Sequence, residues 1–167
     1  TPWTRPWRVS PTDCRPSWRV AEAPQNRDPE AGRILGLDLG QSRIGVAISD
    51  PDRRMAVPLG TVRTGAPKDV KAIAAMVKEH RVTAIVVGLP LSMSGRKSKA
   101  ADHAETFAHA LRDFLGVPVF LEDERLTTVQ AERRLAETGV RGRDRRQVVD
   151  QTAATLILQA YLDRTRR

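Results

Sequence analysis

An aspartate stands at a core position near the end of the first hydrophobic segment. Ile34-Leu-Gly-Leu-Asp-Leu39 alternates with period two, so Leu35, Leu37 and Leu39 face one way and Ile34, Gly36 and Asp38 the other. A carboxylate placed there costs several kcal/mol unless a cation, hydrogen-bond donors or solvent answer it. Gly40, two residues on, leaves room for a ligand to approach the backbone. The competing reading is that Asp38 only opens the turn, accepting from the backbone N–H of Gln41 or Ser42.

Two further acidic positions change that balance. In the last helical segment Val149, Ala153, Ala154, Leu156, Ile157, Ala160 and Tyr161 form an apolar stripe, and Asp150 shares a face with 154, 157 and 161. It lies six residues after Asp144, the expected N-cap, too deep to be a capping residue itself. Pairing with Arg146 or Arg43 is its structural alternative. The third cluster, Glu122-Asp123-Glu124-Arg125, closes the fifth strand. In isolation such a run is a solvated turn. In an open sheet, however, ligands gather beyond the carboxyl ends of parallel strands, and strands one and five both end in acids there.

Two carboxylates about 4 Å apart repel by roughly 4 kcal/mol at an effective dielectric of 20, so a converged cluster requires protonation or bound cations. Hard oxygen ligands without His or Cys select Mg2+ or Mn2+. Two such ions beside a basic surface make a phosphodiester-cleaving arrangement, one activating water and the other stabilising the leaving oxygen. Asp38, Asp150 and the acids of the 122–124 run are the carboxylates that could converge in this way. Arg43, Arg96, Lys97, Lys99, Arg125, Arg141, Arg143, Arg145 and Arg146 are the expected nucleic-acid contacts. For the loop that carries Arg96, Lys97 and Lys99, an ordinary strand-to-helix connection with solvated charges is the competing reading.

Other chemistries lack their parts. The three histidines, His80, His103 and His109, all fall in helical segments, and no Ser stands in a nucleophile elbow. The single cysteine, Cys14, lies outside the folded region, which excludes a disulfide framework and a paired-cysteine zinc site. Neither a P-loop nor a G-x-G-x-x-G fingerprint occurs.

These side chains must be positioned by a regular set of elements. Residues 34–39 and 44–49 read as a hairpin, and 55–62, interrupted by Pro58, reads as an edge strand. A helix follows from Pro67 to His80. Residues 84–87 form a strand buried on both faces and parallel to the first. A second helix spans Ser98 to Leu115 with Gly116 as its stop, and 117–121 is the fifth strand. A short helix near 127–139 and a final one from Asp144 to Asp163 complete the order, βββαβαβα with the short helix inserted before the last one, a mixed five-stranded sheet in an α/β fold.

The chain of 167 residues carries 28 Lys and Arg against 20 Asp and Glu, a formal charge of +8 that favours an anionic partner. Residues 1–32 hold six of the 11 prolines and all three tryptophans without apolar periodicity, and read as a loosely attached extension. The nuclease domain is therefore expected over 33–167. Without a membrane-length apolar run or a signal-peptide pattern, the expectation is a cytoplasmic protein with no membrane partner.

The motifs Ile34-Leu-Gly-Leu-Asp-Leu-Gly40, Arg43-Ile-Gly45, Val86-Val-Gly-Leu-Pro90, Asp123-Glu-Arg-Leu-Thr-Thr128 and Val149-Asp-Gln-Thr-Ala-Ala154 resemble the YqgF family, also called RuvX. The resemblance runs from Arg33 to Arg164. It implies an RNase H-like fold and a metal-dependent nuclease that processes the 5′ end of pre-16S rRNA in ribosome biogenesis. An older family label implies instead a Holliday junction resolvase acting on branched DNA. Position by position, the family's acids fall on Asp38, on Glu124 with Asp123 adjacent, and on Asp150, so the resemblance implies Asp38, Glu124 and Asp150 as catalytic carboxylates and metal ligands and Asp123 as an additional metal ligand, with Thr127 and Thr128 matching the segment that follows. The fourth strand ends in Gly88-Leu89-Pro90 without the acid found in the wider RNase H-like nucleases.

Two other classes compete. A non-catalytic RNA-binding assembly factor would use the same basic surface. An actin-like or sugar-kinase ATPase begins with a similar strand, D-x-G and return strand, but needs a second domain to close on nucleotide. The expected assembly is a monomer or weak homodimer.

Overall fold

The computed structural model describes residues 32–91, 98–124 and 143–166, with side chains in the last span from residue 153 onward. Strand β1 (Arg33–Leu39) pairs antiparallel with β2 (Arg43–Ser49), which pairs antiparallel with β3 (Ala56–Arg63). Helix α1 (Lys68–Glu79) carries the chain to β4 (Val82–Leu89), parallel to β1 on its other side. Helix α2 (Lys99–Leu115) leads to β5 (Val119–Asp123), parallel to β4, and the long helix α3 (Arg143–Thr165) follows. The sheet order is β3-β2-β1-β4-β5, the mixed five-stranded arrangement expected of an RNase H-like domain. β3 lies at the edge, where Pro58 does not interrupt a second ladder.

The alternation in β1 divides the interior in two. Leu35 and Leu37 join Ile44, Val46, Ile73, Ile85, Val87, Phe107 and Leu111 in a core under α1 and α2. Ile34 joins Ala47, Ala84 and Val86 beneath Ala154, Ile157, Leu158 and Tyr161 of α3. Small residues on this second face let α3 sit close: a Cβ on Gly36 would lie 2.7 Å from the Leu158 Cβ and 3.1 Å from the Ala154 carbonyl oxygen. At the far end of β2 from Asp38, Ser49 pairs with Ala56, whose N–H donates to the Gln159 side chain at 2.9 Å. Helix α3 therefore runs from the carboxyl end of β1 toward its amino end.

Several boundaries differ from the sequence expectation for identifiable reasons. Pro67 caps α1 rather than entering it. β5 starts two residues later than expected, because Pro118 has no N–H for the ladder, although its carbonyl accepts from Ile85 at 2.9 Å. This shift draws Glu122 and Asp123 into the strand. Asp144 lies within α3, whose described span opens at Arg143, and not at its N-cap. Ser98 does cap α2, its hydroxyl accepting from the Ala101 N–H at 3.2 Å, and Gly116 ends that helix at φ 66°.

The helix expected near 127–139 and nearly all of the 1–32 extension lie outside the described residues. Gly32 is described, and its carbonyl accepts from Arg53 at 3.0 Å and from Thr83 at 3.2 Å. Among the described residues no helix is long and apolar enough to cross a membrane.

Candidate active site

Asp38 lies one residue before the end of β1, on the face that carries α3. Its β2 partner is Gly45, and because Leu37 pairs with Val87, Gly88 follows in line on β4. Gly88 in turn pairs with Glu122 of β5. A row Gly45, Asp38, Gly88, Glu122 thus crosses the sheet at the carboxyl ends of its three parallel strands, with glycine on both sides of the aspartate.

The three acids of the 122–124 run have separate fates. Glu122 accepts from Arg164 of α3 at 2.6 Å, and that guanidinium lies 5.4 Å from the centre of the Tyr161 ring, which itself packs on Phe120. Asp123, one residue on, alternates to the other face of β5. At Glu124 the chain leaves the strand, and the side chain turns back over β4: its carboxylate occupies the space that a Cβ on Gly88 would need, beside Ile157 Cδ1. Burial pushes the Glu124 carboxyl up to about 7, and the negative charges of Asp38 and Asp123 add to the shift.

Asp38 and Glu124 are therefore brought together. Asp150 is a helical residue of α3, one turn before Ala154, and the direction of the helix puts that position at the Asp38 end of the face. Its side chain lies outside the described residues. Among the described residues no three His, Cys, Asp or Glu side chains group as a complete metal-binding set.

The basic candidates divide similarly. Arg43 opens β2 and Lys99 opens α2, both exposed. Arg143, Arg145 and Arg146 fall in the first turns of α3, with side chains outside the described residues. Arg96, Lys97, Arg125 and Arg141 lie outside the described residues altogether, as do Thr127 and Thr128. Sequence reasoning places Gly88 at the end of the fourth strand, in a family motif and at the start of a basic loop, but gives it no part in the site. A glycine closing a buried strand is the available signal that another group approaches the backbone there.

The donor set suits a hard divalent cation. Two carboxylates at one sheet end, one of them held near neutral titration by burial and like charge, supply oxygen ligands and no soft ones.

A family model described as "RuvX: Holliday junction resolvase" matches residues 32–164. A protein of Mycobacterium leprae (strain Br4923) named "Putative pre-16S rRNA nuclease" is 49% identical over 144 residues, covering 85% of this chain and 78% of its own. Proteins of the same name are 46% identical in Mycolicibacterium smegmatis, covering 89% of this chain and 90% of theirs, and 44% identical in Roseiflexus sp. (strain RS-1), covering 82% and 98%. With a match of this extent and motifs on both sides of the sheet, the chain belongs to the RuvX family.

Proposed function

We propose that the protein is a divalent-metal-dependent nuclease that hydrolyses phosphodiester bonds in the 5′ extension of the 16S rRNA precursor, acting in the cytoplasm. The observation that carries this reading is the Glu124 carboxylate folded over Gly88 into the field of Asp38. The names of its relatives agree with it.

In this reading Asp38, Glu124 and Asp150 hold the cations, with Asp123 contributing negative charge from the strand end. When bound, Mg2+ or Mn2+ lowers the pKa of water and stabilises charge on the leaving oxygen. The protein's own contribution is placement. β1 fixes Asp38 between Gly45 and Gly88, and the missing side chain at Gly88 is what lets the Glu124 carboxylate lie on the Asp38 face. Burial first, then the charges of Asp38 and Asp123, push the Glu124 carboxyl up to about 7, so near neutral pH it is about half protonated and its repulsion with Asp38 is lessened. Exposed Arg43 and Lys99, with Arg96, Lys97, Arg125, Arg141, Arg143, Arg145 and Arg146, draw the polyanion to that end of the sheet.

The test is cleavage of a 5′-extended 16S precursor fragment by purified protein with Mn2+, beside the Asp38→Asn variant and a four-way DNA junction. Mn2+-dependent cleavage of the RNA that vanishes in Asp38→Asn is expected. Undiminished cleavage by that variant removes the assignment of the acid. A preference for the junction, which the family description favours, would keep the hydrolase and replace its substrate.

A further inference from the structure

Arg63 has no place in the sequence motifs, yet the register of the β2–β3 pair sets it directly opposite Arg43. Both side chains are exposed, and neither forms an ion pair or side-chain hydrogen bond among the described residues. The adjacent pair, Ile44 opposite Val62, packs into the core under α1 and α2. Alternation then puts Arg43 and Arg63 on the other face, the face of Asp38, which follows the core residue Leu37 in the same way. Asp38 is level with Gly45 and Thr61, and the two arginines stand two residues further toward the end of the sheet. From Asp38 they lie about 7 Å along the strands and roughly 5 and 10 Å across them.

Like charges directly opposite one another on a strand pair disfavour the pairing. Here the pairing is nevertheless held: the Thr64 N–H donates to the Ser42 carbonyl at 3.1 Å, and its hydroxyl donates to the Gly40 carbonyl at 3.2 Å. The end of β3 is thereby fastened to the turn that follows Asp38. Two guanidiniums kept side by side, at a cost to the fold, present ten N–H donors in planar forks suited to phosphate oxygens.

We propose that Arg43 and Arg63 together form a phosphate-binding site for the backbone of the nucleic-acid strand, on the stretch leading from the acidic centre across β2 and β3 to the sheet edge. The proposal rests on the nuclease reading and adds to it the direction in which the substrate lies and a contact, Arg63, outside the motif positions.

Binding of a fluorescently labelled single-stranded RNA oligonucleotide, measured in metal-free buffer from about 50 to 200 mM salt, tests it alongside cleavage of the same RNA with Mn2+. Loss of one phosphate contact in Arg63→Ala weakens binding about five-fold at 0.1 M salt and lowers the salt slope by about 0.7. Lys71→Ala removes an equal charge from α1, on the opposite side of the sheet, and keeps the slope. Arg63→Glu sets a carboxylate opposite Arg43, so it melts at a higher temperature while binding RNA more weakly, a divergence that a purely structural arginine does not produce. If wild type binds and cleaves the RNA but Arg63→Ala has the wild-type slope, the site is overturned and the nuclease stands. If wild type neither binds nor cleaves, the nuclease reading falls and this site with it.

Discussion

The carboxylate of Glu124 fills the volume that a side chain at Gly88 would occupy. One strand gives up its side chain so that an acid from the end of the next can reach the Asp38 face. Gly88→Ala should therefore expel Glu124 and also press on Ile157 Cδ1, 2.7 Å from the added carbon. The expected result is a folded protein destabilised by about 1–3 kcal/mol, with Mn2+ affinity down at least about tenfold if one ligand is lost. The double variant Gly88→Asp with Glu124→Ala returns a carboxylate to the same place from β4 and should recover part of the binding. Calorimetric titration with Mn2+ decides; full affinity in Gly88→Ala would mean that Glu124 is not a ligand.

Crowding of acids also sets how the metal-free protein responds to pH. Glu124 titrates near 7 in the fold, for reasons of burial first and then Asp38 and Asp123, against an ordinary value of 4.5. Between those values the folded chain holds a proton that the unfolded chain has lost, so stability falls as pH rises through the window. The whole effect is about 3 kcal/mol. Urea denaturation at about pH 5 and pH 8 should show it, with Glu124→Gln flattening the difference and Mn2+ reversing it at the higher pH by binding only the folded state. A metal-free protein that gains stability across this interval contradicts the arrangement.

How far the site can be read without coordinates follows from the range of each signal. Asp38 is legible because period two in a six-residue run leaves it among core positions. The ends of α2 are legible because Ser98 and Gly116 act within one turn of themselves. Which acid of 122–124 enters the site is not legible from period and spacing, and only the family resemblance singles out Glu124: it depends on Pro118 delaying β5 and on Arg164, 42 residues away, engaging Glu122. Arg63 is hidden for a similar reason, since only the ladder with β2 sets it beside Arg43.

Helix α3, which carries Asp150 in its first half, lies close against β1 at Gly36. The Leu158 Cβ and the Ala154 carbonyl that an added Cβ would meet belong to the helix itself and cannot rotate away. Gly36→Ala should cost about 1–3 kcal/mol and Gly36→Val more, both lowering Mn2+ affinity by tilting α3 away from Asp38. Thermal melts with and without Mn2+ measure this. Wild-type stability in Gly36→Val would show that the helix is free to shift.

Arg164 and Glu122 fasten the other end of that helix to β5, and the pair is lopsided: the arginine side chain is 51% exposed and the carboxylate 12%. Removing one partner is therefore not equivalent to removing the other. Arg164→Met strands a mostly buried carboxylate, a loss of about 1–3 kcal/mol. Glu122→Gln leaves a half-solvated guanidinium still stacked on Tyr161 and should cost under about 1 kcal/mol. Chemical denaturation of the two single variants and the double resolves the coupling. The asymmetry is the informative quantity, because a pair acting only as a surface ion bridge would lose the same amount from either side, and salt would erase it. Equal costs would place Glu122 in effective contact with water and leave the end of β5, just before Glu124, held by backbone pairing and by the packing of Phe120 on Tyr161.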